Sequence, residues 1–224
     1  MDPGVNDERP PERVRAINAP WPSLAVAGAI VASFVVQILL IPDAEAGSLG
    51  FAATDLATGR WWTPVTMMFV HGGWAHALMN AAGALAFGPP VARLMGGKAR
   101  GVLVFFGFYL VCGVLACLGY AAFHLHDSEP AIGASGAVSG LMGAAARLIG
   151  MPPGRLGPIR SRPVYSLGLS WIVINILIAF VGAPLMPGAR IAWEAHIAGF
   201  IAGVLLVGPF ARLAGWREPA SAPF

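Results

Sequence analysis

Six blocks of apolar residues divide this chain, at approximately 21–41, 74–91, 102–123, 135–149, 166–181 and 196–213. A helix needs about 20 mostly apolar residues to cross the hydrocarbon of a bilayer. The blocks reach or approach that length, the fourth being the shortest. Only 11% of the 224 residues are charged, where a soluble domain carries roughly 25%, and the mean hydropathy is +0.70. Lipid tolerates only helices and closed barrels, because every backbone polar group must find its partner inside the protein. Long blocks without alternation therefore specify an all-α, polytopic membrane protein. The expected organisation is a six-span bundle over residues 21–214 in a lipid bilayer, between a polar N-tail (1–20) and a short C-tail (215–224).

The sequence pI of about 9.3 would suit a nucleic-acid binder, but the basic residues sit in the short connections between spans. Arg9, Arg13 and Arg15 precede the first span, and Arg93, Lys98 and Arg100 join the second to the third. Arg147, Arg155, Arg160 and Arg162 join the fourth to the fifth, and Arg212 and Arg217 follow the last. Of the 14 Lys and Arg residues, only Arg60 and Arg190 are left for the other side. Basic loops stay in the cytoplasm, so both termini are expected there, and no nucleic-acid partner is expected. Removing the short fourth span would scatter this asymmetry. The "AEA" at 44–46 resembles a signal-peptidase site, but the apolar run before it is long and follows a 20-residue polar tail, which favours a retained first span. Cys112 and Cys117 lie five apart in the third span and read as small buried hydrophobes.

With this topology the second, fourth and sixth spans all enter the membrane from the outside. Polar residues gather at those ends: His71, His76 and Asn80 in "HGGWAHALMN", Ser135 in "GASG", and His196 in "AHIAGFIAG". Ionisable groups inside a membrane mark functional sites by default. Gly136, Gly140 and Gly143 on the fourth span, and Ala195, Gly199 and Gly203 on the sixth, form small-residue seams that let helices approach closely. If the seams dock, the Ser135 hydroxyl and the His196 imidazole come within reach as a nucleophile and base. His76 and Asn80, four apart, share a helix face and can donate to an oxyanion, whereas His71 is expected to point elsewhere. With no carboxylate inside a span, the expectation is a Ser–His dyad without a third member.

These motifs, together with Trp61 and Trp62 in the first outer loop, resemble the rhomboid intramembrane serine proteases in content and order across most of residues 59–204. The resemblance implies Ser135 as nucleophile, His196 as general base, and an oxyanion hole from His76, Asn80 and backbone N–H groups. It implies that Gly133 permits the tight loop before the serine and that Gly199 permits the close helix contact. It further implies cleavage of single-pass transmembrane protein substrates near the outer face of a bacterial inner membrane, without cofactor. Substrate would arrive beside the fifth span, under a cap formed by the loop between spans five and six. The chain departs from the family pattern at Thr63, where an Arg often follows the tryptophan, and at Ala92, where a Glu often stands between Gly88 and Gly96. Ser139 occupies a place where many relatives carry an aromatic against the catalytic histidine.

Each residue also has a plainer reading. Ser135 and Ser139 can be packing residues of a small-residue span, Ser139 with its hydroxyl on a carbonyl one turn back. His196 can be an interfacial histidine, and Asn80 a helix-bridging amide. His124, His126 and Asp127 read as a solvated outer loop. No Glu follows the histidines in the HExxH arrangement and no Cys or acid completes a shell, so no metal is expected. Two rival classes remain: a weak or inactive rhomboid-like protein that binds transmembrane clients, and a transporter using the histidines along a path. No acidic relay crosses the bilayer to support the latter.

Overall fold

The computed structural model describes residues 18–126, 128–185 and 192–218. Asp127, Arg190, most of the N-tail and most of the loop expected to cap the site lie outside them. Six long helices run through the described residues: α1 (Trp21–Leu40), α2 (Trp74–Met95), α3 (Ala99–Phe123), α4 (Ser135–Ala146), α5 (Arg162–Leu185) and α6 (Trp193–Leu213). Each falls on one apolar block. The chain is an all-helical, polytopic membrane bundle. Of these helices, α1, α3 and α6 satisfy length and composition for a span outright, with mean hydropathies of 2.3, 2.5 and 1.6.

Helix ends follow backbone signals rather than the limits of the apolar runs. α2 extends past residue 91 to Met95 and stops where Gly96 takes φ +85°, a conformation open to glycine. α3 starts at Ala99, after an extended Lys98. α4 stops at Ala146, three residues short of the end of its block. Its 12 residues span about 18 Å at 1.5 Å each, well short of the roughly 30 Å of hydrocarbon. All of α4 from Gly136 to Ala146 is buried. This short helix is the centre of the bundle, with α2, α3 and α6 as its walls.

Between helices in lipid there is no hydrophobic drive, so close packing supplies the cohesion. The seams dock accordingly. A β-carbon on Gly199 would strike the carbonyl oxygen of Gly136, one on Gly203 that of Gly140, and one on Gly143 that of Phe200. On the other flank, Gly136 faces the Ala116 methyl group and Gly140 faces Cys112 of α3. Cys112, in these contacts, and Cys117, whose sulfur lies against the Pro64 carbonyl and Met67, are both buried free thiols. At the C-terminal end of α4, Arg147 ties the helix to its surroundings, donating to the Gly157 carbonyl at 2.8 Å and the Val204 carbonyl at 3.0 Å. By contrast, α5 is peripheral, and Leu169 and Leu177 are among its exposed side chains.

The loop between α1 and α2 (41–73) is held to the bundle by its backbone. Phe51 and Ala131 exchange N–H···O bonds of 2.9 and 2.8 Å as a single antiparallel bridge. Gln37 of α1 exchanges two 2.9 Å bonds with the backbone of His71. The loop also contains its own charge pair. Arg60 contacts Asp55 at 3.2 Å and donates to the Ser48 carbonyl, while buried Asp55 accepts from the Ala52 N–H at 3.0 Å. Thr63, fully buried, donates to the Arg60 carbonyl at 2.9 Å. The guanidinium bracing this loop therefore comes from the residue before the tryptophan pair, and the absence of Arg at 63 leaves no gap.

Candidate active site

Ser135 is the first residue of α4, so its depth is set by the shortness of that helix. The first helical bond runs from the Val138 N–H to the Ala134 carbonyl. The N–H groups of Ser135, Gly136 and Ala137 precede the ladder and point out of the helix start, where the positive end of the macrodipole lies. His196 stands in the first turn of α6. With Gly136 seated on Gly199, the flanking side chains meet: Ser135 Oγ lies 2.7 Å from His196 Nε2.

The other imidazole nitrogen, Nδ1, meets Asn175 Oδ1 of α5 at 2.5 Å. Asn175 was not among the residues singled out from the sequence, and it places a third polar side chain where only a pair was expected. It lies mid-block in an apolar run, so hydropathy hides it; the available signal was that it is an amide inside a span. The aromatic ring against His196 also comes from α5. Trp171 lies 5.7 Å away between centroids, in place of the aromatic missing at Ser139. Ser139 itself donates to the Ser135 carbonyl at 2.7 Å, one turn back.

Gly133 closes the opposite wall. Its φ is +114°, and a β-carbon there would lie 2.6 Å from both Cε1 and Nε2 of His76. The Gly133 N–H donates to the Met67 carbonyl at 2.9 Å, which fixes the loop ahead of the serine. His76 Nδ1 accepts from the Gly72 N–H at 3.3 Å, so the ring proton resides on Nε2, the nitrogen turned towards Gly133. Asn80, buried on the same face of α2, donates one amide hydrogen to the His76 carbonyl at 3.0 Å and has a second to offer.

His71 differs from expectation. It precedes the start of α2, so helical spacing does not govern it, and its ring packs edge-on against His76 with centroids 5.2 Å apart. Burial, with His76 beside it, pushes its imidazole down to about 4. Neither ring nitrogen has a hydrogen-bond partner among the described residues. His124 is likewise more engaged than a solvated loop would be: it caps α3, stacks on Tyr120 and contacts Glu194 at 3.0 Å. Among the described residues, no group of three metal-ligating side chains forms.

A serine and histidine in contact at the recessed end of a central helix, in a bundle of apolar helices, define an integral membrane protein with a polar site inside its span. Comparison with known proteins supplies the family. The family model for the Rhomboid domain matches residues 58–212, and the chain belongs to the rhomboid family. It is 27% identical to "Putative rhomboid protease YdcA" of Bacillus subtilis (strain 168) over 151 residues, covering 67% of this chain and 68% of the relative. It is 34% identical to "RHOMBOID-like protein 9, chloroplastic" of Arabidopsis thaliana over 89 residues, covering 40% of this chain and 19% of that protein.

Proposed function

We propose that this chain is an intramembrane serine endopeptidase that cleaves single-pass transmembrane proteins near the outer face of the membrane, with Ser135 as nucleophile and His196 as general base. The observation that carries the reading is the 2.7 Å approach of Ser135 Oγ to His196 Nε2, between residues 61 positions apart in a chain of rhomboid family. His196 Nε2 takes the hydroxyl proton as Oγ attacks the scissile carbonyl carbon. The negative charge moves to the carbonyl oxygen, within reach of Nε2–H of His76, the free amide hydrogen of Asn80 and the N–H groups that open α4. Collapse expels the amine, which receives the proton from His196 and leaves an acyl-Ser135 ester. Water, deprotonated by the same imidazole, hydrolyses the ester and restores the hydroxyl. No cofactor takes part in these steps.

The protease unit in this reading is residues 21–214, in a bacterial inner membrane, with cytoplasmic tails and a site facing the periplasm. The distribution of basic residues supports that orientation. A serine-reactive fluorophosphonate should label the detergent-solubilised protein but not Ser135→Ala, and the labelled protein should cut a single-pass test substrate in lipid. Folded, monodisperse protein that neither labels nor cleaves would decide for an inactive protein that holds transmembrane clients. An active alkaline phosphatase fused to the C-terminus would overturn the orientation.

A further inference from the structure

Among the described side chains of α5, only Val164 and Asn175 are buried; Ile172, Val173, Ile174, Ile176, Leu177 and Ile178 around Asn175 are all exposed. In the outer half of this helix, then, the one described side chain that faces protein is an amide. A packing role in lipid would be filled more cheaply by an apolar residue, since an amide inside a membrane requires a partner. Asn175 has two. Its Nδ2 donates to the Trp171 carbonyl one turn back at 2.8 Å, and its Oδ1 meets His196 Nδ1.

The first bond decides the second. Turning the amide over would set Oδ1 against the Trp171 carbonyl, acceptor against acceptor, so the helix itself fixes Oδ1 towards the imidazole. An amide oxygen only accepts, and His196 must therefore carry its proton on Nδ1. The Nε2 lone pair is then directed at the Ser135 hydroxyl, as a base requires.

We propose that Asn175 is a positioning residue for His196: it holds the imidazole in the Nδ1–H tautomer and in its orientation towards Ser135, so that the working arrangement is Ser135–His196–Asn175. The inference rests on the protease reading of Ser135 and His196. A neutral amide in this place has a counterpart in the Cys-His-Asn arrangement of papain-like proteases, where an orienting group supports the base without taking its proton. Because the amide rides on the peripheral helix α5, the tautomer of a base on α6 depends on α5 remaining in its seat.

The test compares wild type with Asn175→Leu, which keeps the branched outline of the side chain and loses the acceptor, and Asn175→Asp, which keeps the acceptor. Three readouts are taken in parallel: kcat and KM on a single-pass test substrate in lipid, thermal unfolding in detergent, and imidazole nitrogen-15 shifts of His196 in histidine-labelled protein. Asn175→Leu should lower kcat on the order of 10²-fold, within the range a general base supplies, and leave KM within about threefold. Its unfolding temperature should stay within about 4 °C of wild type, since side-chain hydrogen bonds between membrane helices add little to stability. The His196 shifts should move from protonated Nδ1 towards a tautomer mixture, and Asn175→Asp should recover most of the lost rate. Wild-type kcat in Asn175→Leu, or an unchanged tautomer, would overturn the inference. If Asn175→Leu fails to fold, the wild-type spectrum and Asn175→Asp decide: a proton on Nε2 in wild type, or an inactive but folded Asp variant, would equally overturn it. Failure of the protease reading is distinct, because it shows as wild type that neither labels nor cleaves.

Discussion

Gly203 of α6 rests against the carbonyl oxygen of Gly140 of α4, with no space between them for a β-carbon. One turn nearer the start of both helices, Gly199 and Gly136 repeat the relationship. Ser135 is the neighbour of Gly136, and His196 is three residues ahead of Gly199. The contact that holds the bundle together therefore also sets the separation of the two side chains read as nucleophile and base.

Gly203→Ala should accordingly destabilise the protein and slow it. Overpacking a tight contact costs about 1–3 kcal/mol, and here the obstacle is backbone that cannot rotate away. Gly28→Ala, on an exposed part of α1 with nothing near its added methyl group, should be neutral or stabilise by up to about 1 kcal/mol. Thermal unfolding in detergent, followed alongside cleavage, separates the two. Equal behaviour would mean the seam is looser than the geometry states.

The Ser135–His196 contact predicts non-additive losses. Ser135→Ala and His196→Ala should each remove nearly all cleavage, and the double variant should be little worse, because groups that act as a unit fail as a unit. Ser139→Ala should keep substantial activity, since that hydroxyl is occupied with the Ser135 carbonyl. Additive losses for the pair, or loss of labelling in Ser139→Ala alone, would reassign the nucleophile or its base.

Donors to the oxyanion should act in graded fashion. Removing one such donor typically lowers turnover about 10²- to 10³-fold, and Asn80→Ala should fall in or just below that range, with His76→Ala similar. Gly133→Ala should be more severe. It forces a β-carbon into the His76 ring and an unfavourable positive φ at once. Single-turnover cleavage rates measured on purified variants would rank them, and a Gly133→Ala milder than Asn80→Ala would contradict this account of the loop.

In the loop between α1 and α2, Arg60→Ala should lower stability by about 1 kcal/mol while labelling at Ser135 persists. The guanidinium is partly exposed, which limits the worth of its ion pair, and it also loses a bond to the Ser48 carbonyl. A double-mutant cycle of Arg60 with Asp55, read by thermal unfolding, should give a coupling between them. No coupling would leave the loop braced by the Phe51–Ala131 bridge and the Gln37–His71 bonds.

Much of this protein was legible in the order of its residues. Hydropathy reports whether a segment meets lipid or water, so the six helices and their all-helical class follow from composition along the chain. Spacing within one helix is equally local: the glycine seams, the shared face of His76 and Asn80, and the turn from Ser139 back to Ser135 all rest on 3.6 residues per turn. What meets across helices is a different matter. It depends on how each helix is rotated and how closely it approaches, which backbone contact at Gly136, Gly140, Gly199 and Gly203 decides. For that reason Asn175 was invisible as a partner of His196, and Trp171 as the ring beside it. Loop geometry hid the rest. His71 lies before its helix begins and so turns back onto His76, and Arg60 reaches Asp55 and Ser48 through a fold of the loop that no periodicity describes. The depth of Ser135, finally, comes from a helix too short to span: its short apolar block is visible in the sequence, but only the packing shows that neighbouring helices bury it and take the place of lipid.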